Sequence, residues 1–108
     1  MSVTIATDKD FKDFLNTNEI VVVKYYADWC GSCKLFAPKY RRVSDEADFQ
    51  DITFLDVNAE ENPEARKMAG VDNLPFLAVF RDGTLVEGSA SSKEEYLRSL
   101  IEKARVKA

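Results

Sequence analysis

"IVVVKYYADWCGSCK", residues 20–34, joins an apolar run to the chain's two cysteines and its lone tryptophan. From Ile20 to Tyr26 the apolar side chains fall on both parities. That pattern suits a central strand covered on both faces rather than an edge strand with one wet face. Past the cysteines the period changes. Leu35, Phe36, Tyr40, Val43 and Ala47 gather near one side of a helix expected from Ser32 to about Ala47, with Pro38 inside it as a kink. The cysteines therefore sit where a central strand hands over to a helix.

The same alternation extends outward in both directions. Val3–Ala6 reads as a first strand, followed by a helix from about Asp8 to Asn16, capped by Thr7 or Asp8, with Phe11, Phe14 and Leu15 on one face. Ile52–Val57 is a third strand; Asn62, Pro63 and Gly70 mark the cap, first residue and stop of a third helix. "FLAVF" (76–80) and "TLVEG" (84–88) form a hairpin around Asp82-Gly83. Ser92 and Glu95 supply a capping box for a last helix that turns Tyr96, Leu97, Leu100 and Ile101 inward, and the closing "KARVKA" is expected to fray. The order β, α, β, α, β, α, β, β, α predicts an α/β fold in one domain over residues 1–108: a mixed sheet with helices on both faces. Tyr25, Tyr26, Phe36, Phe54 and Phe80 are its expected core aromatics.

Composition removes several function classes. The 108 residues are 45% apolar and 31% charged, within the range of ordinary water-soluble domains. No run approaches the roughly 18 apolar residues that span a bilayer, and the opening "MSVTIATDKDFKDF" lacks a basic segment followed by an apolar one. A cytoplasmic protein with no membrane partner is the expectation. A formal charge of -4 with mixed signs along the chain argues against nucleic acid. Two cysteines and no histidine fall short of a four-ligand zinc site. The acidic residues Asp56, Glu60, Glu61 and Glu64 lack the spacing of a calcium loop and, Asp56 apart, read as a solvated face. No metal and no cofactor are implied. A structural staple is a poor use of the cysteines, because two intervening residues close a very small loop. Reversible thiol chemistry remains, or two cysteines that pack inertly.

In open α/β sheets chemistry gathers beyond the carboxyl ends of the strands. Cys30 falls there, beside a helix N-terminus whose unsatisfied N–H groups favour a thiolate, and is the expected nucleophile. Cys33, one turn on and less exposed, is placed to resolve a mixed disulfide. Gly31 and Ser32 between them are small enough to let another protein's chain approach. Trp29, on the connecting loop, is expected at the surface as a binding residue.

Taken together, "VVVKYYADWCGSCK", Pro38 five residues after the second cysteine, "VNAEENP", "GVDNLP" and "VFRDG" make the chain resemble the thioredoxin family over nearly its whole length. The resemblance implies a five-stranded mixed sheet with about four flanking helices, and reduction of protein disulfides through Cys30 and Cys33. It also implies a cis Leu74–Pro75 bond, with Pro75 facing the cysteines and the Leu74 backbone pairing with a substrate strand. A thioredoxin reductase is the implied electron donor, disulfide-containing proteins the substrates, and a monomer the expected state.

The chain departs from the family pattern at four places. Ser32 stands where the family's motif carries proline, which predicts a less reducing couple. Lys24, six residues before Cys30, replaces the family's buried aspartate, while Asp56 stands where the partner lysine often lies. A charge-swapped pair across neighbouring strands is expected to handle the proton at Cys33, against the plainer reading that Lys24 reaches past the strand end into water. Phe76 follows Pro75 where threonine is usual. The stretch from Gly83 to Ser92 looks shortened, with Ser89 and Ala90 replacing a glycine-containing loop. The substrate-binding set is thus Trp29, Gly31, Ser32, Leu74, Pro75 and Phe76. Other readings to weigh are a binding or chaperone subunit, and a more oxidising exchanger or isomerase.

Overall fold

A computed structural model describes residues 3–106. Its strands are β1 (Val3–Ile5), β2 (Ile20–Tyr26), β3 (Thr53–Asn58), β4 (Phe76–Arg81) and β5 (Thr84–Ala90). Its helices are α1 (Phe11–Thr17), α2 (Gly31–Ser44), α3 (Pro63–Ala69) and α4 (Glu94–Val106), with a 3-10 turn at Ala47–Phe49. The strands form one sheet in the order β1-β3-β2-β4-β5. β1 and β2 run parallel to β3, and the β2–β4 and β4–β5 pairs are antiparallel. This is the mixed five-stranded α/β sheet with four helices that the alternation implied.

The two parities of β2 define two cores. Val21, Val23 and Tyr25 face α1 and α3 and pack with Phe11, Leu15, Ala65 and Ala69. Ile20 and Val22 face α2 and α4 and pack with Phe36, Tyr40, Leu97, Leu100 and Ile101. Tyr40 fixes α2 to the sheet by donating its hydroxyl to the Val22 and Leu55 carbonyls at 3.2 and 2.8 Å. Burial of this kind is worth about 1.5 to 3 kcal/mol for each large apolar side chain, so a strand covered on both faces has its register firmly set.

Turn chemistry behaves as its residues dictate. Asp82 and Gly83 adopt φ of 52° and 82° between β4 and β5, the two positive φ values of a tight hairpin turn. Gly70 ends α3 at φ 65°, where its N–H and that of Val71 close on the Lys67 and Arg66 carbonyls.

Several boundaries differ from expectation. α1 starts at Phe11, because Asp10 bonds back to the Thr7 N–H and holds residues 7–10 in a turn. Asp8 instead accepts from the Glu64 and Ala65 N–H groups and so caps α3 from a distance. Asn62, expected to cap α3, uses its amide oxygen on the Asp8 N–H and its amide nitrogen on the Asn58 carbonyl. α2 ends at Ser44 rather than Ala47, since Glu46 is extended. It runs through Pro38 without a break. Leu35 lies on its solvent face at 79% exposure, and Tyr26 is half-buried rather than core. β5 continues through Ser89 and Ala90, which pair with Leu77 and Phe76, so the supposed loop there is strand. α4 begins two residues past Ser92, and the side-chain bond at its start is from the Lys93 N–H to the Ser91 hydroxyl rather than between Ser92 and Glu95. The supposedly frayed end is helical to Val106; Lys107 and Ala108 lie outside the described residues.

Candidate active site

β2 delivers its last residues to the end of the sheet, and the chain then turns into α2. Cys30 is the N-cap of that helix: its sulfur accepts from the Cys33 N–H at 3.2 Å and lies 3.6 Å from the Ser32 hydroxyl. Donors of this kind at a helix N-terminus stabilise a thiolate. The two sulfurs are joined as a disulfide, with Cα atoms 5.3 Å apart. Both cysteines are buried to nearly the same degree, 4% and 3% exposed, so exposure does not rank them in the way the sequence suggested. What separates them is the other side of the site. Cys33, and not Cys30, lines a cavity of about 210 Å³ shared with Lys24, Tyr26, Ala27, Asp28 and Asp56.

Asp28 and Lys34 reach that cavity from the loop and from α2, and the pleat supplies its two other charges. Lys24 has the parity of Ile20 and Val22, Asp56 has that of Phe54, and the parallel register sets Lys24 directly opposite Asp56. Both side chains consequently project toward α2. Lys24 Nζ lies 3.4 Å from Asp56 Oδ1, with the lysine side chain 4% exposed and the aspartate 24%. Lys24 therefore does not extend into water. The Tyr26 and Tyr40 rings flank its ammonium at 5.5 and 5.3 Å, a favourable site for a cation. The contact is an ion pair and not a well-formed hydrogen bond, for the buried Oδ1 takes none. Burial pushes the Asp56 carboxyl above its ordinary range, and the Lys24 charge offsets only part of that. Burial likewise raises Tyr40, and burial with the nearby Asp56 raises Tyr26, so both phenols keep their protons.

The remaining predicted residues surround the disulfide unequally. The Leu74–Pro75 peptide bond is cis. Leu74 packs against Ala27, Cys30 and Cys33, while its N–H is held by the Asn73 side chain at 2.9 Å. Gly31 has open space around its Cα, with nothing within 4 Å of where a Cβ would stand. Trp29 is 67% exposed and donates its indole N–H to Glu60 at 2.6 Å. Phe76 behaves differently from these. Its ring is buried against Tyr25 and so offers little surface to a substrate, contrary to its place in the expected substrate-binding set. Tyr26 and Asn73, beside Lys24 and Leu74, were not singled out by the sequence as site residues, and neither were Glu60 and Tyr40. The roles of Glu60 and Tyr40 arise 31 and 16 positions away from Trp29 and Lys24, contacts that no local pattern carries.

Among the described residues no helix is long and apolar enough to cross a membrane, and no group of three or more histidine, cysteine, aspartate or glutamate side chains could hold a metal ion. The thioredoxin family profile matches residues 2–103. Thioredoxin 1 of Plasmodium falciparum is 28% identical over 99 residues, covering 92% of this chain and 93% of its own. Chloroplastic thioredoxin F2 of Arabidopsis thaliana is 37% identical over 90 residues, covering 82% of this chain; that stretch is 47% of the longer relative. A thioredoxin f2 solved in complex with ferredoxin:thioredoxin reductase superposes with a TM-score of 0.86 at 31% identity, over 96% of each chain. A paired cysteine motif at a helix N-terminus on this sheet, matched along nearly the full chain, has one consistent reading: the chain belongs to the thioredoxin family and is a thiol-disulfide oxidoreductase that reduces protein disulfides by dithiol–disulfide exchange.

Proposed function

We propose that Cys30 attacks the substrate disulfide, Cys33 resolves the mixed disulfide, and the Lys24–Asp56 pair takes up the resolving proton. The Cys30 thiolate forms a bond to one substrate sulfur, and the other substrate sulfur leaves as a thiolate. Cys33 then loses its proton and attacks Cys30, which releases the second substrate sulfur. Two electrons have passed to the substrate, and the chain is left as the disulfide. The observation that carries this reading is the cavity that Cys33 shares with Lys24 and Asp56. An ionised Asp56 is the base within it; Lys24 steadies the carboxylate and keeps it from collecting its proton prematurely.

The surface around the disulfide supplies the substrate groove. A substrate strand lies along Leu74 and takes the N–H now held by Asn73, while Gly31 and Ser32 leave the approach to Cys30 clear. Working as a reductase requires a reducing compartment and an external dithiol donor, and the reductase bound by the homologous thioredoxin f2 indicates the class of that donor.

A trapping experiment tests the order of attack. Cys33→Ser should accumulate a disulfide-bonded test protein as a mixed disulfide through Cys30, and Cys30→Ser should trap nothing. Trapping through Cys33 instead would reverse the assignment. Retention of the biological role by the double serine variant would favour the binding-subunit reading.

A further inference from the structure

Leu35 is the most exposed of the large apolar side chains described, at 79%. A single surface leucine means little by itself. This one lies two residues past Cys33 and lines a concavity of about 190 Å³ with Ser32, Phe36, Lys39 and Ser92. Ser32, Leu35 and Lys39 stand at helical spacings of three and four, so they form one stripe down the outer face of α2. That stripe begins inside the active site, for Ser32 is also the residue whose hydroxyl lies by the Cys30 sulfur. The far wall is tied to the same surface: the Ser91 N–H bonds to the Pro75 carbonyl at 3.0 Å, which sets Ser92 at the end of the Leu74–Pro75 loop. The groove is thus continuous with the place where a substrate strand would lie.

Its charge is one-sided. Lys39 is the sole charged residue in the lining. Glu94, the acid that opens α4, is engaged by Arg42 and Arg98 and offers no counter-ion. On the opposite flank of the disulfide, Trp29 is held by an acid, Glu60.

We propose that this groove is a second anchoring subsite for protein substrates, taking an apolar side chain and then a carboxylate from the segment beside the reactive cysteine. The proposal rests on the reading of Cys30 as the attacking thiolate. Leu35, backed by the buried Phe36, would cover the apolar side chain, and Lys39 would meet the carboxylate. Spacing follows from helix and strand rises. From Cys30, where the substrate cysteine is joined, Leu35 lies about 7 Å and Lys39 about 13 Å along α2, which an extended segment covers in about two and about four residues. The apolar residue therefore belongs about two positions from the cysteine and the carboxylate about four.

The test uses synthetic peptides, each with one cysteine in a mixed disulfide with glutathione, and the pre-reduced protein. One set carries Leu and Glu at the second and fourth positions on the N-terminal side, another on the C-terminal side, and matched controls carry Ala for Leu, Lys for Glu, or both changes. On one of the two sides, Leu–Glu peptides should be reduced about tenfold faster than Ala–Lys peptides, the scale of one buried leucine and one rim charge. Leu35→Ala should remove most of the leucine preference. Lys39→Glu should invert the order so that Lys peptides outrun Glu peptides, a reversal that loss of structure cannot produce. Equal rates for all peptides, with the small disulfide itself exchanged normally, overturn the subsite and leave the dithiol reading standing. Failure to exchange with any disulfide overturns both.

Discussion

Ser32 shows how one side chain can shift the chemistry of a shared framework. Its hydroxyl, 3.6 Å from the Cys30 sulfur, is a donor that a proline at that position would lack, as it would lack the backbone N–H. Stabilising the thiolate stabilises the reduced form and raises the potential of the couple. Ser32→Pro should accordingly lower it, by on the order of 30 mV, in equilibrium with a glutathione series read through Trp29 fluorescence; an equal or higher potential would contradict this account. Gly31 makes a separate argument. Open space surrounds it within this chain, so its small size serves whatever approaches from outside. Gly31→Leu should slow reduction of a disulfide-bonded protein severalfold more than reduction of a small disulfide, measured side by side. At this scale the sequence was informative wherever the chemistry is local: Cys30, Cys33 and the donors between them lie within four residues.

Elements bring together what spacing along the chain cannot show. The Lys24–Asp56 juxtaposition was legible through the family resemblance, which marks both positions; the parallel register and matched parity supply its physical reason, turning both residues toward α2. Removing one member of a largely buried ion pair leaves the other charge poorly compensated. Lys24→Met should cost about 2 kcal/mol by urea unfolding, below the fully buried case because Asp56 is partly wet. Asp8 was misassigned for the opposite reason. It stands three residues before α1, yet its carboxylate reaches across to cap α3, and no periodicity reports a contact spanning 57 positions. Asp8→Ala should therefore destabilise by about 1 kcal/mol and lower the melting temperature by about 4 °C, with increased amide exchange in α3 rather than α1. Gly88 carries a similar long-range constraint. A Cβ there would lie 2.8 Å from the Phe76 ring and 3.3 Å from the Leu77 carbonyl, so the bulky residue after Pro75 and the bare backbone on β5 are fitted to each other.

Across the whole molecule, ionisation links the site to stability. Asp56 holds its proton more firmly folded than unfolded. Between its unfolded value, about 3.9, and its raised folded value the native state binds the extra proton, so its contribution to stability falls as pH rises through that window. Glu46 and Glu87 work in the opposite sense: Arg98, and Lys103 with Tyr96, hold them below the usual carboxylate range, and their contributions are lost as pH falls. Wild type should therefore lose stability relative to Asp56→Asn as pH rises from about 4, in paired urea titrations. The overall layer order was legible from alternation alone, whereas the two-sided surface around the disulfide was not, because Trp29 with Glu60 and Leu35 with Ser92 meet only once the sheet has formed. The most direct test of the account is the rate at which Cys33 resolves a pre-formed Cys30 mixed disulfide, followed against pH in wild type and Asp56→Asn. The account predicts that the wild-type rate climbs as Asp56 loses its proton, and that the asparagine variant lacks this rise and runs at least tenfold slower on its plateau, the low end of general-base contributions of about 10²-fold and more. Superimposable profiles for the two proteins would contradict it.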